Sequence, residues 1–460
     1  MIYNDFFLFP KFIKEIKRRQ KVRPAFNVLL FGMESISRMN FMRMMPRTSL
    51  FLKEKGSIQL LGYNKVGDNS YPNLFALLFS KSFKHAKNSC IVDNVINGSE
   101  CVFLWNKFKE AGYDTALGSD SAAGLLAAYE YNLPNIPTDF YLQPFLFETR
   151  NVFNNTHYCY HKCLRNKYFY KLLLNWSAEL LKRSRNKLFG IFWEESISHE
   201  IFNLPQNMDD DYYDFLKQLE NSKYLDNSII ILFSDHGMRW GEIAQTEQGR
   251  LESRLPLFEL LFPLKFQKQF QLAFKNIKQN RYRLTSPFDL HETLLDLVQN
   301  NLDDNKINTR SKQMSQDSSK ISLFLPISED RTCKTIGISD HWCTCNENER
   351  IDMNEEQRII AANYIIRHIN RLLRKQPKCH QLRISKILNA TVTIGQNNNI
   401  LKAFIVLRTS PGGGIFESTL NRRGKEWYVS GKVTRLNLYR YTSQCIQDKN
   451  DNIKMYCTCK

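Results

Sequence analysis

The chain has 460 residues, of which 43% are hydrophobic and 24% charged, a balance that excludes an intrinsically disordered protein and suffices for two or three domain-sized units. Its formal net charge of +18 suits an anionic partner such as nucleic acid, membrane phosphates or acidic glycans. No zinc-finger spacing, RNP-like aromatic motif or basic region feeding heptads occurs, so no specific nucleic-acid partner is expected.

Residues 1–24 read as a basic lead-in, in which "KFIKEIKRRQKVR" (11–23) forms a solvated helix face that also suits a membrane surface. The start "MIYNDFFLFP" is too short to span a membrane and lacks a signal-peptide layout. A core follows over 25–374. The apolar run "FNVLLFGMES" (26–35) predicts a buried strand that delivers Glu34 at its carboxyl end. In "GYNKVGDNSYPNLFALLF" (62–79) a polar knot abuts a helix-like run. Taken alone, Ser70 there is a helix cap, with Pro72 tolerated in the first turn. "FLWNKFKEAGYDTALGSD" (103–120) reads as helix, glycine stop and strand, and 168–185 as a long amphipathic helix before the strand "KLFGIFWEES" (187–196). The helix "DDYYDFLKQLENS" then precedes "NSIIILFSDHGMRWGE" (227–242), a β-branched strand ending in Ser-Asp-His-Gly.

This alternation predicts an α/β fold: a mostly parallel sheet with helices on both faces. Ligands of such sheets bind beyond the carboxyl ends of the strands. Glu34, Glu195, His199, Asp235 and His236 all fall just there. Residues 300–320 are polar and read as a flexible surface loop, and His291, inside a helix-like run, reads as structural. From 375 to 460 the texture changes to a small, mainly β module whose tail is expected to be fastened by disulfides.

The eleven cysteines include no CxxC pair, and two CxC pairs (343–345 and 457–459) lack zinc-ribbon spacing. Four N-x-[ST] sequons stand at Asn97, Asn154, Asn175 and Asn389. Together these lean toward a disulfide-bearing glycoprotein of the secretory lumen or exterior, with its targeting segment missing from this chain.

The adjacent carboxylate and imidazole of Asp235 and His236, with Glu34 and the Ser70 hydroxyl, make an oxygen and nitrogen set suited to Zn²⁺ or Mn²⁺. A metal there lowers the pKa of Ser70 and makes it a nucleophile. The helix N-terminus after Ser70 favours an anionic ester, and Asn73, one turn on, is placed to donate to a substrate oxygen. Glu195 and His199, with His341 in "ISDHWCTC", offer a second ligand set, so one or two ions are expected.

"NVLLFGMESISRMNFMRMMPRT", "GYNKVGDNSYPNLFALL", "SDHGMRWGEIAQTEQGRLESRLP" and "RTCKTIGISDHWCTC" resemble a metazoan family of unknown function, domain-of-unknown-function family 229, within the alkaline-phosphatase/sulfatase superfamily. The resemblance runs over nearly the whole chain. It implies an alkaline-phosphatase-like core with a metal site at the carboxyl edge. Glu34 stands where the first acidic ligand stands, Ser70 where the Thr or Ser nucleophile stands, and Asp235 and His236 at the paired ligands. Glu195, His199 and His341 stand near the second-metal positions. Glu replaces the usual Asp and Ser the usual Thr, both swaps keeping the chemical group. Formylglycine sulfatases carry Cys or Ser followed by x-Pro-x-Arg; here Leu74 takes the place of the arginine.

The expectation is a metal-dependent phosphoester hydrolase or phosphotransferase working through a Ser70 phospho-enzyme on a lipid- or glycan-linked phosphate. Two alternatives stay open: a sulfatase-like sulfuric ester hydrolase, and a secreted pseudoenzyme that binds anionic glycans or a protein partner.

Overall fold

The structure, a computed structural model, describes residue 8 and residues 25–92, 95–96, 100–121, 125, 137–153, 162–164, 166–315, 318–345, 350–394, 400–424, 426–439, 441–446 and 451–460. The basic run 11–23 and the sequons at Asn97 and Asn154 lie outside these residues. The chain divides into two units, residues 1–237 with 255–331, and residues 238–254 with 332–460.

The first unit is built on a seven-stranded sheet. Its strands are β1 (Asn27–Met33), β2 (Ile58–Gln59), β3 (Asp114–Ser119), β4 (Phe140–Tyr141), β5 (Leu188–Glu194), β6 (Ser228–Phe233) and β7 (Phe258–Leu261). They lie in the order β2-β7-β6-β1-β5-β3-β4. The pairs β6-β1, β1-β5, β5-β3 and β3-β4 are parallel, while β7 runs antiparallel to both its neighbours. Register decides what this sheet can hold at its edge. Met33 stands opposite Glu194, Gly32 opposite Phe233, and Trp193 opposite Ser119. The carboxyl ends of β1, β3, β5 and β6 therefore finish level.

The helices of this unit include, in chain order, α1 (Ser70–Phe79), α2 (Phe169–Arg183), α3 (Asp209–Asn221), α4 (Gln271–Asn280) and α5 (Pro287–Gln299). Side chains of a strand alternate between faces. Val28, Leu30, Ile229 and Ile231 enter one core with Leu74, Leu77, Phe274, Ile277, Leu290 and Leu294 of α1, α4 and α5. Leu29, Phe31, Ile230 and Leu232 enter the other with Leu173, Leu174, Phe215 and Leu216 of α2 and α3. Burial on both faces explains why these strands read as unbroken apolar runs. Gly32 is required by packing, because a Cβ there would lie 2.1 Å from Cε3 of Trp193.

The stretch 300–320, expected as a loop, contains helix α6 (Asp304–Gln313). Asp303 caps it by accepting from the Lys306 N–H at 2.9 Å, Arg310 pairs with Asp296 at 2.8 Å, and Ile307 is its one buried residue. A single apolar anchor leaves almost no periodic signal.

The second unit carries a five-stranded antiparallel sheet in chain order: β8 (Arg350–Asp352), β9 (Arg383–Ile394), β10 (Ile400–Ser410), β11 (Ile415–Arg423) and β12 (Glu426–Arg435). Helix α7 (Glu355–Leu373) lays Ala361, Ile365, Ile369 and Leu373 into one core with Ala403, Ile405, Leu407 and Phe416 of this sheet. The boundary thus falls at Thr332 instead of near 375, because residues 355–373, within the expected core bounds, form a helix that packs on the β module. Segment 238–254 also belongs here: the Gly241 N–H donates to the Leu436 carbonyl at 3.2 Å, and Ala244 packs with Phe404, Val406, Ile415 and Leu436. Cys379–Cys457 and Cys445–Cys459 fasten the tail, Cys333–Cys343 closes a loop, and Cys90–Cys101 lies in the first unit. No helix among the described residues is long and apolar enough to cross a membrane.

Candidate active site

Two loops at the carboxyl edge are stitched to each other. Beyond β1 the Glu34 N–H donates to the Glu194 carbonyl at 2.8 Å. Ser35 then adopts a left-handed conformation, φ 62°, and its N–H donates to Oδ1 of Asp235 at 3.2 Å. The Ile36 N–H donates to Ser234 Oγ at 3.0 Å, and that hydroxyl lies 2.9 Å from the His236 carbonyl. Glu34, Asp235 and His236 are all buried, and each brings a ligand atom within 4.8 Å of the others.

This donor set fits a divalent cation. Nδ1 of His236 lies 3.0 Å from the Gly237 carbonyl, which only accepts, so Nδ1 carries the proton in the neutral ring. Nε2 then presents its lone pair, 3.2 Å from Oδ2 of Asp235. A lone pair facing a carboxylate in a buried site is repulsive unless positive charge joins them.

Ser70 reaches the same point from another direction. It is the first residue of α1, behind Asn69 at the N-cap, and its hydroxyl donates to Oε1 of Glu34 at 2.6 Å. Its side chain is thus directed at the acid and not at the helix. Asn73 holds the preceding loop: its Oδ1 accepts from the Val66 N–H at 2.7 Å, and its Nδ2 donates to the carbonyls of Asn69 at 2.9 Å and Gly67 at 3.3 Å. The expectation that Asn73 donates to substrate is corrected, since its amide is committed to backbone. Gly67 is close-packed as well, with a Cβ there meeting Pro72 Cβ at 2.3 Å.

A second acidic group lies beside the first. His199 Nε2 stands 3.6 Å from Oε1 of Glu34, and burial, then the Glu34 charge, holds the Glu195 carboxyl well above its usual range. Asp120, at the end of β3, accepts from the N–H groups of Glu195 at 2.9 Å and Ser196 at 3.2 Å. Burial raises its pKa despite those donors. Burial and then the Asp120 charge raise that of Glu194, whose Oε1 accepts from the Ile197 N–H at 2.7 Å. So many acids at one sheet edge resist ionising together, which a bound cation relieves. Asp120 was not singled out from sequence. Its signal was there, an acid directly after a strand, as with Glu34.

His341 does not join this set. In the second unit its Nδ1 lies 3.0 Å from Thr419 Oγ1 and its Nε2 3.2 Å from Thr434 Oγ1, so both ring nitrogens are taken by hydroxyls of β11 and β12. The reading of His341 as a metal ligand is corrected accordingly. His291 Nδ1 lies 2.6 Å from the Leu77 carbonyl. Asn175 is exposed on α2 and Asn389 on β9.

Comparison with solved structures finds similarity to three proteins among others. The phosphoethanolamine transferase EptA of Neisseria meningitidis is 14% identical with a TM-score of 0.42, over 61% of this chain and 56% of that one. The lipoteichoic acid synthase LtaP of Listeria monocytogenes is 13% identical with a TM-score of 0.40, over 60% and 72%. A glycosaminoglycan-metabolism protein of Bacteroides thetaiotaomicron is 11% identical with a TM-score of 0.41, over 89% of each chain. This chain therefore spans little more than half the length of the first. No curated protein matches the sequence. Over residues 2–388 the sequence matches the family described as "Protein of unknown function (DUF229)", and the chain belongs to that family.

Proposed function

We infer that the protein is a metal-dependent phosphoester hydrolase or phosphotransferase of the alkaline-phosphatase kind, with Ser70 as nucleophile. The observation that carries this reading is the 2.6 Å hydrogen bond from Ser70 Oγ to Glu34, the acid that shares a buried cluster with Asp235 and His236. Glu34, Asp235 and His236 hold the first cation, and Glu195 with His199 are the candidates for a second. A divalent ion, Zn²⁺ or Mn²⁺, lowers the pKa of the serine hydroxyl and offsets negative charge on the phosphoryl oxygens.

The chain's own groups do the rest. Oε1 of Glu34 is placed to take the Ser70 proton, and the positive end of the α1 dipole favours the anionic ester. Ser70 Oγ forms a bond to phosphorus as the ester P–O bond breaks, and the leaving alkoxide takes up a proton. Water or a second alcohol then removes the phosphoryl group from Ser70. Leu74, where formylglycine sulfatases carry arginine, argues against the sulfate route. Four described disulfides support an oxidising compartment, the secretory lumen or exterior. Among the described residues, Asn175 and Asn389 are the sequon asparagines open to solvent and the proposed glycan acceptors.

The test is metal content and turnover on the same preparation. Purified protein is expected to carry stoichiometric Zn or Mn, lost in Asp235→Ala, and to cleave a generic phosphodiester, with activity abolished in Ser70→Ala. Activity that survives Ser70→Ala overturns the mechanism, and formylglycine at position 70 by mass spectrometry would establish the sulfatase instead.

A further inference from the structure

Away from the acidic edge, the first unit has an open groove of about 820 Å³ along α4. The chain runs from β7 through a short helix, Leu264–Gln269, into α4, then through residues 281–283 to a short strand, Leu284–Thr285, that pairs with Gly62–Tyr63. One wall of the groove is α4, and the other is the segment Pro326–Glu329. The wall is built in. Asn280 Nδ2 donates to the carbonyls of Leu323 at 2.9 Å and Leu325 at 2.7 Å, its Oδ1 accepts from the Ile327 N–H at 3.1 Å, and Arg283 Nε donates to the Ile327 carbonyl at 3.2 Å. The groove therefore keeps its shape without a ligand.

Its one lining carboxylate, Glu329, is paired with Arg283, and the rest of the lining combines three chemistries. Lys275 and Lys278 are exposed one helical turn apart, and among the described residues neither is paired with a carboxylate. Lys278 Nζ lies 4.7 Å from the Phe274 ring centroid, which holds the ammonium over the groove. Tyr282 is 64% exposed at the rim, with the Arg281 guanidinium 5.0 Å from its ring centroid, so one ring face is covered and the other is open. Gln271 and Gln279 add exposed amides. Cations in a row select regularly spaced anions, amides pair with hydroxyls, and an exposed aromatic face suits the C–H face of a sugar ring. A lipid bilayer would engage the cations but has no use for amides, and an apolar peptide none for the lysines.

We propose that this groove binds an acidic polysaccharide, carrying sulfate or carboxylate groups, with Lys275 and Lys278 reading the anions and Tyr282 stacking on a sugar ring. The site is independent of the phosphoester reading, and binding requires no turnover. It nonetheless bears on the substrate. Tyr63 lies beside the groove's return strand, and the seven residues from there to Ser70 span at most about 25 Å, so a polymer must extend well beyond the groove to reach the acidic edge.

The test is calorimetric titration of the full chain with a defined heparin-derived oligosaccharide at physiological salt. Lys275→Ala/Lys278→Ala is expected to weaken binding about tenfold, and Tyr282→Ala about threefold at unchanged charge. Lys84→Ala/Lys87→Ala, an equal charge loss on another helix, is expected to change it less than twofold. Ser70→Ala is expected to bind as the parent does, which separates this site from the catalytic one. Equal weakening by the two lysine pairs, no effect of Tyr282→Ala, or binding to phosphatidylserine vesicles with none to the oligosaccharide overturns the proposal.

Discussion

The Asn73 amide meets three backbone groups of the loop that carries Ser70. Truncation to alanine removes the acceptor of the Val66 N–H and leaves two carbonyls to find other donors. Asn73→Ala is expected to cost about 1–3 kcal/mol of stability and to lower phosphoester turnover, because the 2.6 Å contact of Ser70 with Glu34 depends on that loop. Denaturant unfolding and kinetics on the same preparation check both halves. A variant with full turnover would place the support for Ser70 elsewhere. The same residue shows how a candidate site misleads a reader of sequence: an amide one turn from the proposed nucleophile suggests a substrate contact, while its partners lie within seven residues along the chain.

Among the elements, β1 is the one on which the others converge, flanked by β5 and β6. Its Gly32 accommodates the Trp193 ring, so Gly32→Ala forces that ring or the strand to shift and is expected to destabilise by about 1–3 kcal/mol. A thermal melt of the variant checks this, and an unchanged midpoint would mean the ring has room to move. Strands β1, β5 and β6 are legible in the sequence because each is a doubly buried apolar run that stops at an acid, as in "FGMES", "FWEES" and "LFSDH". Register is not legible in that way, since it arises only when Met33 meets Glu194 and Gly32 meets Phe233. Helix α6 is not legible because Ile307 is its sole buried side chain, and a core boundary at 374 misplaces residues 355–373 because an apolar stripe does not say which sheet it covers.

At the scale of the whole molecule, the two units rest on different electrostatics. The first gathers carboxylates at one edge, and the second neutralises its buried charge internally. Arg254 is fully buried, with Nη2 2.9 Å from Glu417, Nε 2.9 Å from the His341 carbonyl and Nη1 2.8 Å from the Arg250 carbonyl. Burial alone would raise the Glu417 carboxyl, but Arg254, His341 and the hydrogen bond bring it below its usual value of 4.5. A carboxylate whose pKa is depressed on folding contributes stability above the unfolded value and loses it as pH falls through the folded one. Glu417→Gln leaves the guanidinium buried without its counter-charge and is expected to cost about 3–5 kcal/mol at neutral pH. The gap to the parent should narrow as pH drops below about 4.5. Unfolding free energies measured across that range test it, and a gap that stays constant would mean the pair carries no linked proton.

The discontinuity of the units has a consequence for anyone who shortens the chain. The backbone leaves the first unit at Gly237, immediately after His236, and returns at Leu255. The excursion between is moored at Leu436 and within the cluster of Phe404, Val406 and Ile415. A stop or nick after Arg331 therefore does not release a clean domain. It casts off a loop whose near end adjoins the imidazole of the candidate cation site, so damage far along the polypeptide is delivered by the covalent tether to the place where the chemistry is proposed to occur.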